Sequence, residues 1–331
     1  MCPDEALRVP PQSARLARVQ AAFGMEPVVT LVVPTFRRPA LLRECLASIS
    51  QQSFRGFLAL VCDNSPEQEA RDIVCDLQDD RFMYRPRPNN LGIARNVLEG
   101  FLEARTPYVM EVDDDDLLYP NCLEALLEPF SAHPALTIVF ADVDVVDQNR
   151  QVLPLAQRLK HLPSLQPLTE GVRQPFTDLA AYGQVFMTAA LLRRNAIDWN
   201  AVPASADFSY DRYLALAASR DGAAGYLVRE AVMAYQVYPL SGLRRTTDGL
   251  LGVLDILKRE LLVVDPPSRK LIEKEVLRTK VRLIRAYRIE RKYRQALNLL
   301  VSLITPRHVA EIILMALSHN HSQRIRSHRR L

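Results

Sequence analysis

Four aspartates in a row, Asp113–Asp116, are the clearest sign of chemistry in the sequence. They stand in the segment EVDDDDLLYP, directly after an apolar run that is typical of a buried strand. Adjacent carboxylates repel one another, and clustered carboxylate oxygens are the hard ligands that Mg²⁺ and Mn²⁺ prefer. A divalent ion held there could bridge to a diphosphate and neutralise a leaving group. The run therefore indicates a metal–diphosphate site.

Helix capping is a simpler interpretation of the same run. A helical segment follows the aspartates, and Asp115 or Asp116 could stabilise its N-terminus. One carboxylate is enough for a cap, and four exceed that need. Both interpretations are open on the residues alone.

The elements that must position these carboxylates follow from the alternation of apolar runs with amphipathic segments. Short apolar runs bounded by turn residues predict strands, and the segments between them have helical spacing. This rhythm predicts βαβ units and an α/β fold with a mostly parallel sheet flanked by helices. The predicted strands lie in VVTLVVPTFRRP, where proline stops the β-branched run, and in FLALVCDNSP, RFMYRP, PYVMEV and LTIVFADVDVVD.

One edge of the predicted sheet collects the polar residues. Right-handed crossovers place the carboxyl ends of parallel strands along one edge, which is where such sheets bind ligands. Thr35 and Arg37 follow the first strand, Asp63 follows the second, and the aspartates follow the fourth. No glycine-rich phosphate loop follows the first strand, which disfavours a Rossmann dehydrogenase or a P-loop NTPase. A phosphate-bearing ligand would therefore need the metal as a partner for its charge.

Charge and cysteine usage bound the class of protein. Residues 1–250 hold 24 Lys and Arg against 31 Asp and Glu, whereas residues 251–331 hold 18 against 7. The five cysteines are scattered without a CxxC pair, which indicates reduced thiols. The first twenty residues lack the apolar core of a signal peptide, and no apolar run approaches the ~18 residues that cross a bilayer. We expect a cytoplasmic protein, neither secreted nor integral to a membrane.

The basic part of the chain, residues 246–331, predicts a helical region. Its apolar residues recur with a spacing near 3.6, with Lys and Arg between them. Such helices could lie on an anionic membrane surface, here the inner face of the plasma membrane. Equally, they could pack on the preceding domain or form a homodimer. Nucleic acid is not an expected partner, because no aromatic platform is interleaved with the arginines.

Three segments, in their order and spacing, resemble the N-terminal half of a family 2 glycosyltransferase with the GT-A fold, in the nucleotide-diphospho-sugar transferase superfamily. The resemblance is close over residues 28–147 and looser to about residue 240. It implies a nucleotide-diphospho-sugar donor and a Mn²⁺ or Mg²⁺ ion. The segments are VVTLVVPTFRRPALLRECLASISQQSF, LVCDNSP and NNLGIARNVLEGFLEARTPYVMEVDDDDLLYPNCLE.

The resemblance implies roles for residues of the donor site. In the family, the Pro-Thr turn after the first strand and the aspartate after the second hold the nucleotide base. Arg95 and Asn96 match a segment beside the nucleotide, although an ordinary helix start explains them equally well. The predicted nucleotide-sugar site is Pro34, Thr35, Arg37, Asp63, Arg95, Asp113 and Asp114.

The metal ligands are also implied by the resemblance. The family's DxD motif matches Asp113, near the ribose, and Asp115, on the metal. Asp114 makes this register ambiguous by one, and Asp116 is a further neighbour. Many relatives place a metal-binding histidine after a later strand, where this chain has Tyr238. That departure predicts fewer protein ligands or weaker metal affinity.

The second half of the chain is expected to bind the acceptor and to supply a base. The segment ADFSYDRYLALAASRDG is similar to the family segment that carries the catalytic aspartate, which places Asp211 in that role. Asp211 could instead cap the helix that follows, and Asp207 is the second candidate. The proline-rich stretch Leu162–Phe176 is predicted to be a loop across the active-site face or a passive connection.

These observations predict an inverting glycosyltransferase that moves a sugar from a nucleotide-diphosphate donor to a saccharide or lipid-linked acceptor, in cell-surface polysaccharide synthesis. The alternatives are a catalytically inactive GT-A scaffold subunit or a sugar-nucleotide nucleotidyltransferase, which would normally carry a glycine-rich phosphate loop. The predicted domains are a lead-in (1–26), a catalytic domain (27–245) with a nucleotide-sugar half (27–147) and an acceptor half (148–245), and the basic helices (246–331).

Overall fold

The structure, a computed structural model, describes residues 12–154, 169–238 and 246–303. The chain divides into two compact units, Met1–Gly242 and Leu243–Leu331, here called unit 1 and unit 2. The segments 155–168 and 304–331 include part of the predicted proline-rich loop and the last predicted helix, and they lie outside the described residues.

Unit 1 is built on one nine-stranded sheet with the order β3-β2-β1-β4-β8-β6-β9-β5, and β7 pairs with β9 beside this path. The pairs β1–β2, β2–β3, β1–β4 and β6–β9 are parallel. The strand β8 runs antiparallel between β4 and β6. The strands are β1 Val29–Thr35, β2 Phe57–Asp63, β3 Phe82–Pro86, β4 Tyr108–Glu111, β5 Leu117–Leu118, β6 Leu136–Val146, β7 Gly171–Arg173, β8 Ala190–Arg193 and β9 Ala224–Gln236.

Seven helices accompany the sheet among the described residues of unit 1. The central strand β1 is buried along its whole length, as its continuous apolar run requires. The helices are α1 Gln12–Phe23, α2 Pro39–Ser50, α3 Ala70–Asp76, α4 Ile93–Glu103, α5 Cys122–Ala132, α6 Thr177–Tyr182 and α7 Tyr210–Ala218. The predicted α/β architecture with a mostly parallel sheet flanked by helices is confirmed, and all five predicted strands are present.

Local sequence explains how two of these helices pack. In α2, Pro39 occupies the first turn, and Leu42, Leu46 and Ile49 form the buried face that their spacing predicts. In α4, a Cβ atom at Gly100 would lie 2.5 Å from Cγ1 of Val32, so glycine permits the close approach of this helix to β1. The glycine thereby lets α4 pack on the strand that leads into the candidate site.

The predicted lead-in contains a helix that is joined to the sheet domain. Arg15 of α1 donates from Nε to Oε2 of Glu128 in α5 at 3.0 Å and from Nη1 to Oε2 of Glu230 in β9 at 2.7 Å. The Arg15 side chain is nearly buried, so this pairing is shielded from water. The helix α1 therefore packs on unit 1 as part of its structure.

Unit 2 contains three described helices, α8 Thr246–Val263, α9 Pro266–Ile289 and α10 Tyr293–Val301. Helix α9 begins at a proline, and the carboxylate of the preceding Asp265 accepts a hydrogen bond from the Ser268 backbone N–H at 2.9 Å. The predicted helical C-terminal region is thus present over residues 246–301. None of the described helices is long and apolar enough to cross a membrane.

Candidate active site

The aspartate run forms the turn between β4 and β5. The Val112 N–H donates to the carbonyl oxygen of Val32 at 2.9 Å, which continues the pairing of β4 with β1 up to the first aspartate. The Asp116 N–H then donates to the Asp113 carbonyl at 3.1 Å and closes the turn. The run therefore lies at the carboxyl edge of the parallel strands, as the sequence predicts.

Three of the four carboxylates converge. One carboxylate oxygen from each of Asp113, Asp115 and Asp116 lies within 4.8 Å of the other two. Oδ1 of the buried Asp116 accepts the Gln236 backbone N–H at 2.8 Å, whereas its buried Oδ2 has no hydrogen-bond partner among the described residues. Together with two neighbouring carboxylates, a buried carboxylate oxygen that lacks a hydrogen-bond donor forms an oxygen donor set of the kind that a hard divalent cation prefers. The residues present fit a divalent metal.

Asp114 has a different set of contacts. Its Oδ2 accepts the Thr35 hydroxyl at 2.8 Å, and its Oδ1 accepts Nη1 of Arg38 at 3.1 Å. The structure thus brings the predicted metal ligands Asp113 and Asp115 together with Asp116, and it ties Asp114 to the turn after β1. The role predicted for Asp114 in nucleotide binding is untested by these contacts.

Arg38 is the principal charged residue that sequence analysis missed. Its Nη1 also donates to Oδ2 of Asp115 at 2.8 Å, so one guanidinium bridges two aspartates of the run. The guanidinium carbon lies 6.0 Å from the centroid of the Tyr238 ring. The signal was present in the sequence, since a run of carboxylates requires a counter-charge and Arg38 follows the predicted site residue Arg37.

The electrostatics of the cluster show that one guanidinium does not neutralise it. Burial and the charges of Asp115 and Asp114 raise the pKa of Asp113 to about 7. Burial and the charge of Asp113 raise the pKa of Asp116 well above its ordinary value. Both shifts reflect the cost of several negative charges in a poorly hydrated place, and a bound cation would offset that cost.

Asp63 is buried at the end of β2 and organises the loop that follows. Its Oδ1 accepts the Ser65 N–H at 2.8 Å, and its Oδ2 accepts the Tyr84 hydroxyl at 3.1 Å and the Ala70 N–H at 3.3 Å. A contact with a nucleotide base would be additional to these three. Pro34 and Thr35 pair with Cys62 and Asp63 across the two strands, so the predicted base-binding residues are neighbours.

The other two predicted donor-site residues lie at the surface with partners of their own. Arg37 adopts a left-handed backbone conformation (φ 56°), and its Nε donates to Oε2 of Glu67 at 3.1 Å. Arg95 forms an exposed ion pair with Glu99 at 2.6 Å, one turn along α4. Its neighbour Asn96 is buried and binds the Cys62 carbonyl at 2.7 Å, which is a structural role.

Asp211 lies in the first turn of α7, and its Oδ1 accepts the Arg212 N–H at 2.7 Å. Its carboxylate is accessible to solvent but surrounded by protein atoms, and the resulting desolvation raises its pKa. Its negative charge in turn contributes to the raised pKa values of Glu111 and Asp113. The second candidate, Asp207, is exposed in the 3₁₀ stretch Ala204–Ser209.

A buried contact connects α7 to the aspartate run. The Tyr210 hydroxyl donates to Oε1 of Glu111, the last residue of β4. Both side chains are buried, and burial raises the pKa of Glu111 well above its ordinary value. This contact joins the segment that carries Asp211 to the segment that carries Asp113. Sequence analysis missed it, because the two residues are 99 positions apart in the chain and neither local pattern reveals the other as its partner.

Tyr238 stands at the position where the family histidine would fall, and it lies beside Asp115. Burial and the charge of Asp115 raise the pKa of the Tyr238 hydroxyl. The side-chain amide of Gln236 donates to the same hydroxyl. A phenol therefore occupies the edge of the acidic cluster in place of an imidazole.

Comparison with known proteins agrees with this architecture. The chain resembles the structure of TarS residues 1–349 of S. aureus in complex with UDP-GlcNAc, with a TM-score of 0.60 and 15% identity over 77% of this chain and 72% of that one. It also resembles the mannosyltransferase PcManGT of Pyrobaculum calidifontis in complex with GDP-Man and Mn²⁺, with a TM-score of 0.57 and 16% identity over 92% and 91% of the two chains. At such identities the likeness establishes the fold, which is GT-A.

Sequence comparison identifies the family. The model of glycosyl transferase family 2 matches residues 30–198, just over half of the chain. A β-1,3-glucosyltransferase of Campylobacter jejuni, named for the substrate GalNAc(5)-diNAcBac-PP-undecaprenol, is 32% identical over 105 residues, which are 31% of this chain and 34% of that protein. An uncharacterised glycosyltransferase of Methanocaldococcus jannaschii is 27% identical over 132 residues, 39% and 46% of the two chains. These alignments cover less than half of the relatives' lengths.

The fold and the family model together define a glycosyltransferase domain. The chain belongs to glycosyl transferase family 2. The predicted family and the predicted GT-A fold are both confirmed.

Proposed function

We propose that the protein is an inverting glycosyltransferase that moves a sugar from a nucleotide-diphosphate donor to a saccharide or lipid-linked acceptor. The observation that carries this proposal is the convergence of Asp113, Asp115 and Asp116 at the carboxyl edge of the sheet. The proposed catalytic domain spans residues 27–245, with the nucleotide-sugar site in residues 27–147.

Asp113, Asp115 and Asp116 would hold a Mn²⁺ or Mg²⁺ ion, which supplies positive charge to the diphosphate as it leaves. The buried Oδ2 atom of Asp116 has no hydrogen-bond partner among the described residues, which supports Asp116 as one of the metal ligands. The proposed nucleotide-binding residues remain Pro34, Thr35, Arg37, Asp63, Arg95, Asp113 and Asp114. Arg38, held between Asp114 and Asp115, would add a fixed positive charge beside the diphosphate.

Asp211 is proposed to act as the general base. Its carboxylate would take the proton of an acceptor hydroxyl while that oxygen attacks the anomeric carbon from the face opposite the diphosphate. The anomeric carbon then develops oxocarbenium-ion character as the bond to the diphosphate oxygen breaks. The desolvation that raises the pKa of Asp211 makes it a stronger base than an ordinary aspartate.

The relatives support the acceptor class. The C. jejuni protein is named for a polyprenyl-diphosphate-linked substrate, and a Myxococcus xanthus relative, 29% identical over 146 residues, is named for O-antigen biosynthesis. We therefore propose a role in cell-surface polysaccharide synthesis, with the protein in the cytoplasm at the inner face of the plasma membrane.

The second candidate is a catalytically inactive scaffold subunit. Tyr238 at the position of the family histidine favours it, because a phenol is a weaker metal ligand than an imidazole. The variant Asp115→Asn separates the two functions. A scaffold should bind its partner as before in this variant and should show no other loss.

Thermal stabilisation by a panel of nucleoside diphosphates, with and without Mn²⁺, tests the proposed function. We expect one nucleotide to raise the melting temperature only when Mn²⁺ is present. A ligand at one hundred times its Kd stabilises the native state by about 2.7 kcal/mol, which such an assay resolves. No shift with any nucleotide at millimolar concentration would contradict a donor site and favour the scaffold.

A further inference from the structure

Unit 2 presents an apolar stripe, here defined as Tyr293, Leu297, Leu300 and Val301 of α10. These residues follow the i, i+4, i+7, i+8 spacing of one helix face, and they are 64%, 59%, 44% and 58% exposed. The adjacent face of α10 is the one that packs, through the buried Ala296. Large apolar side chains elsewhere among the described residues are exposed only singly or in pairs, so a contiguous stripe needs an explanation.

The part of the chain that leads into this stripe is rich in positive charge. Between residues 278 and 294 the chain has eight Lys and Arg against one acid, Glu290. That acid is already bound by the Lys292 ammonium at 2.6 Å and by the Thr247 hydroxyl. Lys258 of α8 also lies close enough to Lys280 of α9 for their repulsion to add to desolvation in lowering the pKa of Lys280. Glu275 of α9 also pairs with Arg278 at 3.6 Å and with Arg282 at 3.2 Å. Counted from Glu275 to residue 294, the chain still has eight Lys and Arg against two acids.

We propose that the stripe and the basic segment that leads into it dock on the surface of an anionic lipid bilayer. The apolar side chains would enter the boundary between headgroups and acyl chains, and the flanking arginines and lysines would contact lipid phosphates. A second copy of this chain fits the face poorly, because pairing it with itself would bring two strongly basic surfaces together. Four side chains are also far fewer than the roughly 20 per partner of a stable interface.

This inference goes beyond the proposed glycosyl transfer, because binding to vesicles requires neither donor nor acceptor. The experiment is flotation of the full chain with vesicles of phosphatidylcholine alone or with 30% phosphatidylglycerol, at low salt and in 0.5 M NaCl. We expect binding only to the anionic vesicles and release by salt. Absence of binding, or equal binding to neutral and anionic vesicles, would overturn the proposal.

Matched variants test the stripe and the charge separately. Leu297→Asp should weaken binding more than tenfold, whereas Leu262→Asp, the same change at an exposed leucine outside the stripe, should weaken it by no more than the roughly fivefold effect of one charge. Arg294→Gln should weaken binding roughly fivefold, and Arg43→Gln in α2 should not. Thermal melting confirms that each variant is folded. Equal binding by the two leucine variants, or a dimer in light scattering that Leu297→Asp splits without affecting flotation, would contradict a lipid-docking stripe.

Discussion

At the scale of single residues, the proposed chemistry depends most on Asp211. Asp211→Asn preserves the size of the side chain and its acceptor oxygen but removes the base. We expect kcat for sugar transfer to fall by about 10²–10⁴, while nucleotide-dependent stabilisation is unchanged. Asp207→Asn is the matched control, because Asp207 is an exposed aspartate four residues earlier and should keep full activity. Loss of activity in Asp207→Asn with retention in Asp211→Asn would assign the base to the other residue.

The raised pKa of Asp113 predicts how metal affinity depends on pH. Its pKa is raised from its ordinary value of 3.8 to about 7, so the folded, metal-free protein keeps this carboxyl protonated below neutral pH. The stability that the protonated group contributes is therefore complete below about pH 4 and is lost as pH rises through 7. A divalent ion competes with that proton, so its affinity should rise over the same interval.

The measurement is the melting temperature with and without Mn²⁺ between pH 5.5 and 8. We expect the stabilisation by Mn²⁺ to grow with pH and to level off above pH 7. Asp113→Asn should weaken this dependence, since an amide does not titrate, and the remainder comes from Asp116, whose pKa is also raised. A stabilisation that is constant over this range, or that falls as pH rises, would contradict the assignment of Asp113 as a ligand.

Residue types and motifs predicted much of the candidate site. They assigned Asp113 and Asp115 to one metal site, and the structure brings these two residues together with Asp116. The role of Asp211 as the base stays a prediction. The motifs did not separate Asp114 from Asp116, because four identical residues in a turn cannot be ranked without the hydrogen bonds that Thr35 and Gln236 make to them. Contacts between distant segments, rather than the local sequence pattern, decide which carboxylate keeps an oxygen available for a metal.

At the scale of elements, the contact between Tyr210 and Glu111 fixes α7 against β4. Tyr210→Phe leaves a buried carboxyl without its hydroxyl donor, and we expect a loss of about 1–3 kcal/mol in the free energy of unfolding. We also expect a lower kcat with an unchanged nucleotide Kd, because Asp211 would lose its alignment while the donor site keeps its residues.

Tyr213→Phe provides the control on the same helix, since it removes a hydroxyl that donates to the Ala201 backbone carbonyl at 3.1 Å. Urea unfolding and steady-state kinetics on both variants distinguish the two tyrosines. An equal decrease of kcat in both would show that Tyr210 acts only through the general stability of α7.

Periodicity was sufficient for the parallel half of the sheet. The runs that became β1 to β4 are short, apolar and bounded by turn residues, and each is a strand in the structure. The order β4-β8-β6-β9 could not be predicted. The insertion of antiparallel β8 between β4 and β6 depends on side-chain packing between segments that are distant in sequence. The helix α1 is anchored by Arg15 to two glutamates that are distant in sequence, which local patterns do not reveal.

At the scale of the whole molecule, acidic and basic residues are concentrated in different parts of the chain. Residues 1–250 carry an excess of seven acidic groups, 31 against 24, and the strongest local concentration described is the aspartate cluster. Residues 251–331 carry an excess of eleven basic groups, 18 against 7. An acidic cluster suits a cation and its diphosphate, and a basic helical region suits an anionic surface. We propose that the two units serve these two separate partners.

The most direct test of the account is a Mn²⁺ titration followed by electron paramagnetic resonance at pH 7.5, in the presence of the stabilising nucleotide. We predict one bound Mn²⁺ per chain for the wild type and at least tenfold weaker binding for both Asp115→Asn and Asp116→Asn. Asp211→Asn should bind Mn²⁺ as the wild type does. Unchanged Mn²⁺ binding in both Asp115→Asn and Asp116→Asn would contradict the assignment of the aspartate turn as the metal site.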